Sequence, residues 1–247
     1  KEDLLTKKDL LDYYRAIEKW ILPYLKDRPL ALLRCPEGYD HSCFFQKHLE
    51  TDEKGIKGAS IFPKSKNEKE NIIFIDSLEG LLEIHTRGGD YKNIDCANQI
   101  VFDLDPDDKV NFKNVKEAAF ELKDLLEELK LKSFVKVSGG KGLHVHVPIS
   151  PLYDWDMVKE FSKKICEQLE KDFPQKYTTK MSKSQRKNKI FLDYLRNGYG
   201  ATAIAPYSVR ARIHAPVALP VSWEEVKKLK DAHSFRLKDV PEILKKR

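Results

Sequence analysis

The sequence predicts an α+β fold in which helices flank central mixed or antiparallel sheets. Three observations point there. Apolar residues recur at helical spacing in long segments at 7–25, 112–131 and 154–172. Short apolar runs bounded by turn formers lie between them, among them Ile72-Ile73-Phe74-Ile75 and Ile100-Val101-Phe102-Asp103-Leu104-Asp105. The links between these runs include both tight turns and helix-length crossovers, so antiparallel and crossover pairings are mixed.

Each element has a local cause. Thr6 is placed to cap the first helix, over 7–25, where Leu10, Tyr14, Ile17 and Ile21 share a face. Pro29 introduces a strand over 30–34, and Cys35-Pro36-Glu37-Gly38-Tyr39-Asp40 has turn chemistry. The chain past Phe44-Phe45-Gln46-Lys47 is polar up to Lys57. A strand follows at 71–75, and Ser77 is read as the cap of a short helix ending before Gly88-Gly89. The strand over 100–105 is stopped by Pro106. Strands over 133–137 and 143–147 flank Ser138-Gly139-Gly140-Lys141-Gly142. A strand over 190–195, another within 203–213 and a helical stretch from 223 to 229 complete the reading. There is no repeat, and 1–247 reads as a single domain.

Composition narrows the class. A hydrophobic fraction of 41% is too high for a disordered chain, and no run of about 18 apolar residues is present to span a membrane. Lys1-Glu2-Asp3 opens without a signal peptide, so a cytosolic location is expected. The four cysteines form no C-x-x-C pair. Cys35, His41, Cys43 and His48 raise the question of zinc but match no finger spacing, so buried or surface thiols are expected. The net charge of +6 is modest, but lysines cluster at 65–69 and at 180–187. The second cluster reads as a mobile basic loop suited to phosphates.

The residues that can carry chemistry are few. Asp103 and Asp105 alternate on one strand and so share a face. Two such carboxylates repel unless a hard cation such as Mg²⁺ or Mn²⁺ joins them, although a solvated strand end would also hold a short acidic pair. Asp193 lies inside the apolar run Ile190-Phe191-Leu192-Asp193-Tyr194-Leu195, where a charge is costly unless paired or metal-bound. Three carboxylates on one sheet face would make a two-metal site; the alternative for Asp193 is an ion pair with Arg196. Ser138, Gly139, Gly140 and Lys141 form a loop whose backbone can approach an anion, though it is not a Walker A loop. His144, just after it, is the better phosphate ligand, and His146 on the same face is read as structural. Arg210 and Arg212 share a face if their segment is extended, and guanidinium groups suit phosphate. His85 with Arg87 is a weaker feature.

In this order the pieces resemble the polymerase domain of bacterial ligase D and its archaeal stand-alone relatives, in the archaeo-eukaryotic primase superfamily. The resemblance runs from Thr6-Lys7 through Arg34-Cys35-Pro36, Phe44-Phe45-Gln46-Lys47, Glu83-Ile84-His85, the acidic pair and the glycine loop. It continues through Phe191-Leu192-Asp193-Tyr194 and Ala205-Pro206-Tyr207-Ser208 to Trp223-Glu224-Glu225. It implies a primase-polymerase core that adds NTPs or dNTPs, preferring ribonucleotides, to a 3′-hydroxyl at gaps or broken DNA ends in end-joining repair. It further implies that Asp103, Asp105 and Asp193 hold Mn²⁺ or Mg²⁺, with His85 as an active-site histidine. Ser138, Gly139, Gly140, Lys141, His144, Arg210 and Arg212 would bind the triphosphate, with Lys47 as a nucleotide-site lysine. Lys7 and Lys8 would hold a 5′-phosphate of the DNA. The implied partners are Ku and a DNA ligase, and the implied location is cytoplasmic and nucleoid-associated, with no membrane. His41-Ser42-Cys43 departs from the family pattern, and no ligase or phosphoesterase region is attached, so the chain reads as a free-standing polymerase or an excised domain.

Three other readings compete: a primase that initiates strands, a haloacid-dehalogenase-like phosphatase, and a non-catalytic nucleic-acid-binding module. The phosphatase needs Thr or Val two residues after the second Asp, where this chain has Asp107. The retained carboxylates and arginines count against a non-catalytic module.

Overall fold

In the computed structural model, the described residues are 5–48, 56–64, 66, 68–75, 83–90 and 92–247. The first helix, α1 (Lys7–Leu25), begins at a full capping box: the Thr6 hydroxyl accepts from the Asp9 N–H, and the Asp9 carboxylate accepts from the Thr6 N–H. Its apolar face, Leu10, Tyr13, Tyr14, Ile17, Ile21 and Leu25, is buried.

Two six-stranded sheets follow. The first contains β1 (Leu30–Arg34), β2 (Phe44–Gln46), β3 (Ile56–Ile61), β4 (Glu70–Ile75) and β5 (Glu83–Arg87). A small hairpin, β6 (Gly89–Asp90) and β7 (Asn93–Ala97), leads into β8 (Gln99–Pro106), the central strand of the second sheet. Then come α2 (Phe112–Glu128), β9 (Phe134–Val137), β10 (Leu143–Pro148), α3 (Trp155–Asp172), β11 (Tyr177–Thr178) and β12 (Ile190–Asp193). The strand β13 (Thr202–Ile204) returns to the first sheet, while β14 (Pro220–Val221) edges the second. Two short helices, α4 (Trp223–Lys228) and α5 (Val240–Lys245), end the chain. The strand orders are β13-β5-β1-β4-β3, with β2 also on β1, and β11-β12-β8-β10-β9-β14.

Alternation along β8 sets the architecture of the site. Ile100, Phe102 and Leu104 join the buried core, with α2 and α3 packed on the strand. Asp103 and Asp105 therefore point to the other face. The helices are capped as their sequences direct: the Asn111 side chain accepts from Lys113 N–H and that of Asp154 from Met157 N–H.

The structure corrects several expectations. The helix assigned to Ser77 falls largely on 76–82, outside the described residues, and its end is the strand β5. That strand pairs with β1 on one side and β13 on the other, so long-range pairing outweighs local preference. The strand expected over 190–195 stops at Asp193, whose carboxylate accepts from the Leu195 N–H and turns the chain into a 3-10 turn at Leu195–Asn197. Arg210 and Arg212 lie in a tight turn, with Arg212 N–H donating to the Arg210 carbonyl at 2.8 Å, rather than on an extended strand. Cys35 and Cys43 are not thiols: they form a disulfide, which also removes them as zinc ligands. The β1–β2 register pairs Arg34 with Phe44, so the next pair outward is Cys35 and Cys43, with Cα atoms 4.4 Å apart. The basic segment at 180–187 is anchored through a 3-10 turn, Lys183–Arg186, whose Arg186 lies 3.6 Å from the Phe191 ring centre. Among the described residues no helix is long and apolar enough to cross a membrane.

Candidate active site

A cleft of about 180 Å³ opens where the two sheets meet. From the second sheet it is lined by Asp103, Asp105, His144 and the loop residues Ser138, Gly140, Lys141 and Gly142. From the first sheet come His85 and Thr202 to Ile204, with Arg196, Arg210 and Arg212 closing the rim. The structure thus gathers most of the residues singled out from sequence.

The register explains the carboxylates. Asp193 on β12 stands opposite Asp103 on β8, while Asp105 is opposite Phe191. The guanidinium Nε of Arg196 lies 3.3 Å from Asp103 and 3.1 Å from Asp193. Arg186 reaches Asp105 at 3.4 Å. Burial pushes the Asp103 carboxyl up to about 6; Arg196 opposes this, and repulsion from Asp193 and Asp105 adds to it. Asp193 is also raised, again by burial first, with Arg196 opposing. Acids that repel one another, Asp103 and Asp193 largely buried and Asp105 exposed beside them, offer hard oxygen donors that suit a divalent cation. Among the described residues, however, no three His, Cys, Asp or Glu side chains are already drawn into a closed metal cage.

The loop facing these acids is shaped by its glycines. Gly139 has φ +65°, and a side chain there would press on Arg210 and the backbone of Val217. A Cβ on Gly142 would overlap the carbonyl oxygen of Leu104, which lies between Asp103 and Asp105 on β8. The Ser138 hydroxyl accepts from the Gly140 N–H at 3.1 Å, and its carbonyl accepts from Arg210 at 3.4 Å. Lys141 is ion-paired with Asp108 across the loop mouth. The Arg210 segment is fixed from below by α1: the Tyr13 hydroxyl donates to the Tyr207 carbonyl at 2.7 Å, and the Tyr14 hydroxyl accepts from Val209 N–H at 3.2 Å.

Other expected residues are placed differently. His144 is buried with its Nε2 3.3 Å from Asp103 Oδ1 and its Nδ1 2.9 Å from Lys136 Nζ. Burial, then the Lys136 charge, holds its imidazole well below the usual histidine range, so it meets the cleft as a neutral ring. His146 stacks beside it at 6.1 Å and is also held neutral by burial. His85 contacts the Phe45 ring at 5.2 Å. Lys47 is exposed after β2 and is not among the residues lining the cleft. Lys7 and Lys8 are exposed on the first turn of α1, away from the cleft lining. Lys7 donates to the Pro36 carbonyl at 2.8 Å, and Lys8 pairs with Asp12 at 2.6 Å.

Sequence reasoning missed Lys136 and Arg186. Lys136 is 2% exposed, and burial pushes its ammonium down to about 7 although Asp103 pulls it up. A usable signal was present: a lysine inside Phe134-Val135-Lys136-Val137 is as anomalous as Asp193 in its own strand.

Two sheets joined at a cleft that sets paired acids against a basic glycine loop give this chain the architecture of a primase-polymerase domain. The chain belongs to the family of the LigD primase-polymerase domain, whose model matches residues 6–247. It is 35% identical to the multifunctional non-homologous end joining protein LigD of Pseudomonas aeruginosa over 97% of this chain and 29% of that protein. It is 32% identical to the bifunctional non-homologous end joining protein LigD of Bacillus subtilis over 98% of this chain and 40% of that protein. This sequence therefore spans less than half the length of these relatives. Among solved structures it is similar to the polymerase domain of Mycobacterium tuberculosis ligase D in complex with DNA, with a TM-score of 0.86 and 28% identity over 98% of this chain and 89% of that one.

Proposed function

We propose that this chain adds nucleotides to the 3′-hydroxyl of gapped or broken DNA, as the polymerase of a cytoplasmic end-joining repair system. The observation that carries the reading is the opposition, across one cleft, of Asp103 and Asp105 to Lys141, Arg210 and Arg212. On this reading the acids serve the reacting oxygens, and the loop and arginines the triphosphate. A pair of Mn²⁺ or Mg²⁺ ions held by Asp103, Asp105 and Asp193 would activate the attacking hydroxyl and stabilise the departing pyrophosphate.

The chain's own residues do the rest. The backbone of Ser138, Gly139 and Gly140 receives phosphate oxygens, with Lys141 as a point charge at the mouth. Arg210, propped by the Ser138 carbonyl, and Arg212 offer planar forks to the terminal phosphates. Arg196, which compensates Asp103 and Asp193, keeps that pair from splaying apart. A preference for ribonucleotides, a role for Lys47 at the nucleotide, recognition of a 5′-phosphate by Lys7 and Lys8, and partnership with Ku and a DNA ligase rest on the family alone.

The test is primer extension on gapped DNA, with NTPs or dNTPs and with Mn²⁺, Mg²⁺ or chelator. Extension that needs a divalent ion and a primer is expected. Release of phosphate without strand growth would turn the reading to a phosphatase, and synthesis without a primer would turn it to a primase.

A further inference from the structure

A second cavity lies behind β13, against the same sheet that carries the catalytic-cleft acids. Ala203 and Ile204 of β13 border both spaces. On β5, His85 lines the cleft, while its neighbour Thr86, which points to the opposite face of the strand, lines the second cavity. The cavity holds about 370 Å³, against about 180 Å³ for the cleft. That volume is in the range of small-molecule sites.

Its charge is one-sided. Arg28, just past the end of α1, is among the lining residues, and no acid is. One guanidinium nitrogen of Arg28 donates to the Arg87 carbonyl at 3.1 Å, which fixes the group against β5. Among the described residues this is its one side-chain hydrogen bond, and it forms no ion pair. Burial pushes its pKa down from the ordinary arginine value, and the charge of Asp90 opposes that only in part. A guanidinium carries five N–H donors, so most of those on Arg28 are left for a ligand. A partly buried cation without a counter-charge is costly, and a bound anion removes the cost.

The rest of the wall describes the body of that anion. Tyr24, Phe134, Pro148 and Pro206 offer flat apolar surfaces. Tyr24 and Phe134 are 42% and 48% exposed, so the rings stand at the mouth. Lys132 Nζ lies 5.3 Å from the centre of the Phe134 ring and brings a second cation there. Inside, Asn98 Oδ1 is buried without a hydrogen-bond partner. An amide oxygen only accepts, so its partner must offer an N–H or O–H.

We propose that this cavity is a second binding site, separate from the catalytic cleft, for a small anion built on a flat nitrogen heterocycle, a nucleoside monophosphate in class. The phosphate meets Arg28, the base lies against Phe134, and an N–H of the base serves the orphaned amide oxygen. The assignment concerns binding alone and holds whether or not the chain extends a primer.

The probe is adenosine monophosphate, titrated by calorimetry into wild type and into Lys141→Ala/Arg210→Ala, which strips phosphate donors from the catalytic cleft. Arg28→Met and Phe134→Ala are then added singly to that double variant, and adenosine and inorganic phosphate serve as control ligands. The double variant is expected to keep one molecule of adenosine monophosphate per chain. Arg28→Met should weaken it about tenfold, as loss of a hydrogen bond to a charged group does, and adenosine should bind the double variant weaker by a similar factor. Phe134→Ala, at a half-exposed position that should not disturb folding, should cost about fivefold or more, the usual effect of removing a ring on which a base stacks. Inorganic phosphate, which leaves the apolar walls uncovered, should bind more weakly than the nucleotide. No binding at millimolar nucleotide overturns the proposal. So does binding by wild type that disappears in the double variant, because the anion then sits in the catalytic cleft. Unchanged affinity in folded Arg28→Met or in Phe134→Ala overturns it too. If Arg28→Met does not fold, the control ligand decides: adenosine binding as tightly as its monophosphate leaves no anion site at Arg28.

Discussion

Asp103 and Asp193 face each other across β8 and β12, and Arg196 stands within 3.3 Å of the first and 3.1 Å of the second. The arginine offsets two carboxylates that burial alone would drive toward neutrality. Removing one acid leaves the arginine a partner in the other, so the fold can survive losses that chemistry cannot. Asp103→Ala or Asp105→Ala is expected to abolish nucleotide addition, with a rate loss of at least about a hundredfold, as expected when a two-metal site loses a ligand worth several kcal/mol. Primer extension and a melting curve on the same preparations check both halves, and a folded variant with full activity removes these residues from the chemistry.

Much of this site was legible in the chain, and the limits have physical causes. Thr6, Asp154 and the helix faces declare themselves because caps and amphipathic periods are local. The acidic pair and the Ser138–Gly142 loop do so because strand alternation and glycine freedom are local too. The strand at Glu83–Arg87 was hidden, since its partners lie fifty or more residues before it in β1 and more than a hundred after it in β13. The Cys35–Cys43 bond was hidden for a different reason: its cysteines are only 8 residues apart, but their pairing follows from the β1–β2 register and not from any spacing rule. Lys136 and Arg186 needed the sheet order before their partners could be known.

Division of labour around the loop gives a second prediction. Lys141→Ala and Arg210→Ala should weaken triphosphate use while leaving DNA affinity within about twofold, since both line the cleft and neither is part of α1. Each loses roughly 1.5–3 kcal/mol of charged hydrogen bonding, or about ten- to a hundredfold in kcat/KM. Nucleotide titration beside DNA binding by anisotropy separates the two effects, and an equal loss of both would contradict the placement.

Gly142 makes a sharper structural demand. Its Cα packs against the Leu104 carbonyl, so Gly142→Ala must push β8 and the loop apart. We expect destabilisation of about 1–3 kcal/mol, the usual cost of overpacking, together with a fall in activity. Gly198→Ala is the control: its backbone is extended, and a Cβ there meets only ordinary contacts, the Leu195 carbonyl at 3.5 Å and the Lys159 side chain at 3.9 Å. Denaturant unfolding of the two variants should rank Gly142→Ala well below Gly198→Ala.

Stability toward acid should depend on Glu70. Its carboxylate accepts from the Tyr199 hydroxyl at 2.6 Å and from Arg87 at 2.6 Å. Burial works against ionisation there, but these donors outweigh it and hold the carboxyl below its ordinary 4.5. A depressed folded value means that the stabilisation is fully present above about 4.5 and is lost as the pH falls through the folded value. Glu70→Gln should therefore lower the melting temperature at pH 7 and flatten its decline between pH 5 and about 3. A variant with the wild-type slope in that window would show that the acid limb belongs to other groups.

The two lysines at the start of α1 are not equivalent. Lys8 is neutralised by Asp12 at 2.6 Å, whereas Lys7 gives one of its three N–H donors to the neutral Pro36 carbonyl and keeps its charge. An incoming 5′-phosphate can use Lys7 as it stands but must compete with Asp12 for Lys8. Lys7→Ala should therefore cost more affinity for 5′-phosphorylated gapped DNA than Lys8→Ala, by roughly tenfold against a few-fold. Asp12→Asn should strengthen binding by freeing Lys8. All three differences should shrink on DNA lacking the phosphate and fade as salt rises, because each neutralised phosphate releases condensed counterions. The measurement is a titration of wild type and the three variants against phosphorylated and unphosphorylated DNA at two salt concentrations. If Lys7→Ala loses the same affinity on both substrates, the lysine is a general backbone contact. If the wild type itself does not distinguish them, recognition of the 5′ end lies elsewhere, and the case for an end-joining role loses its contact with this helix.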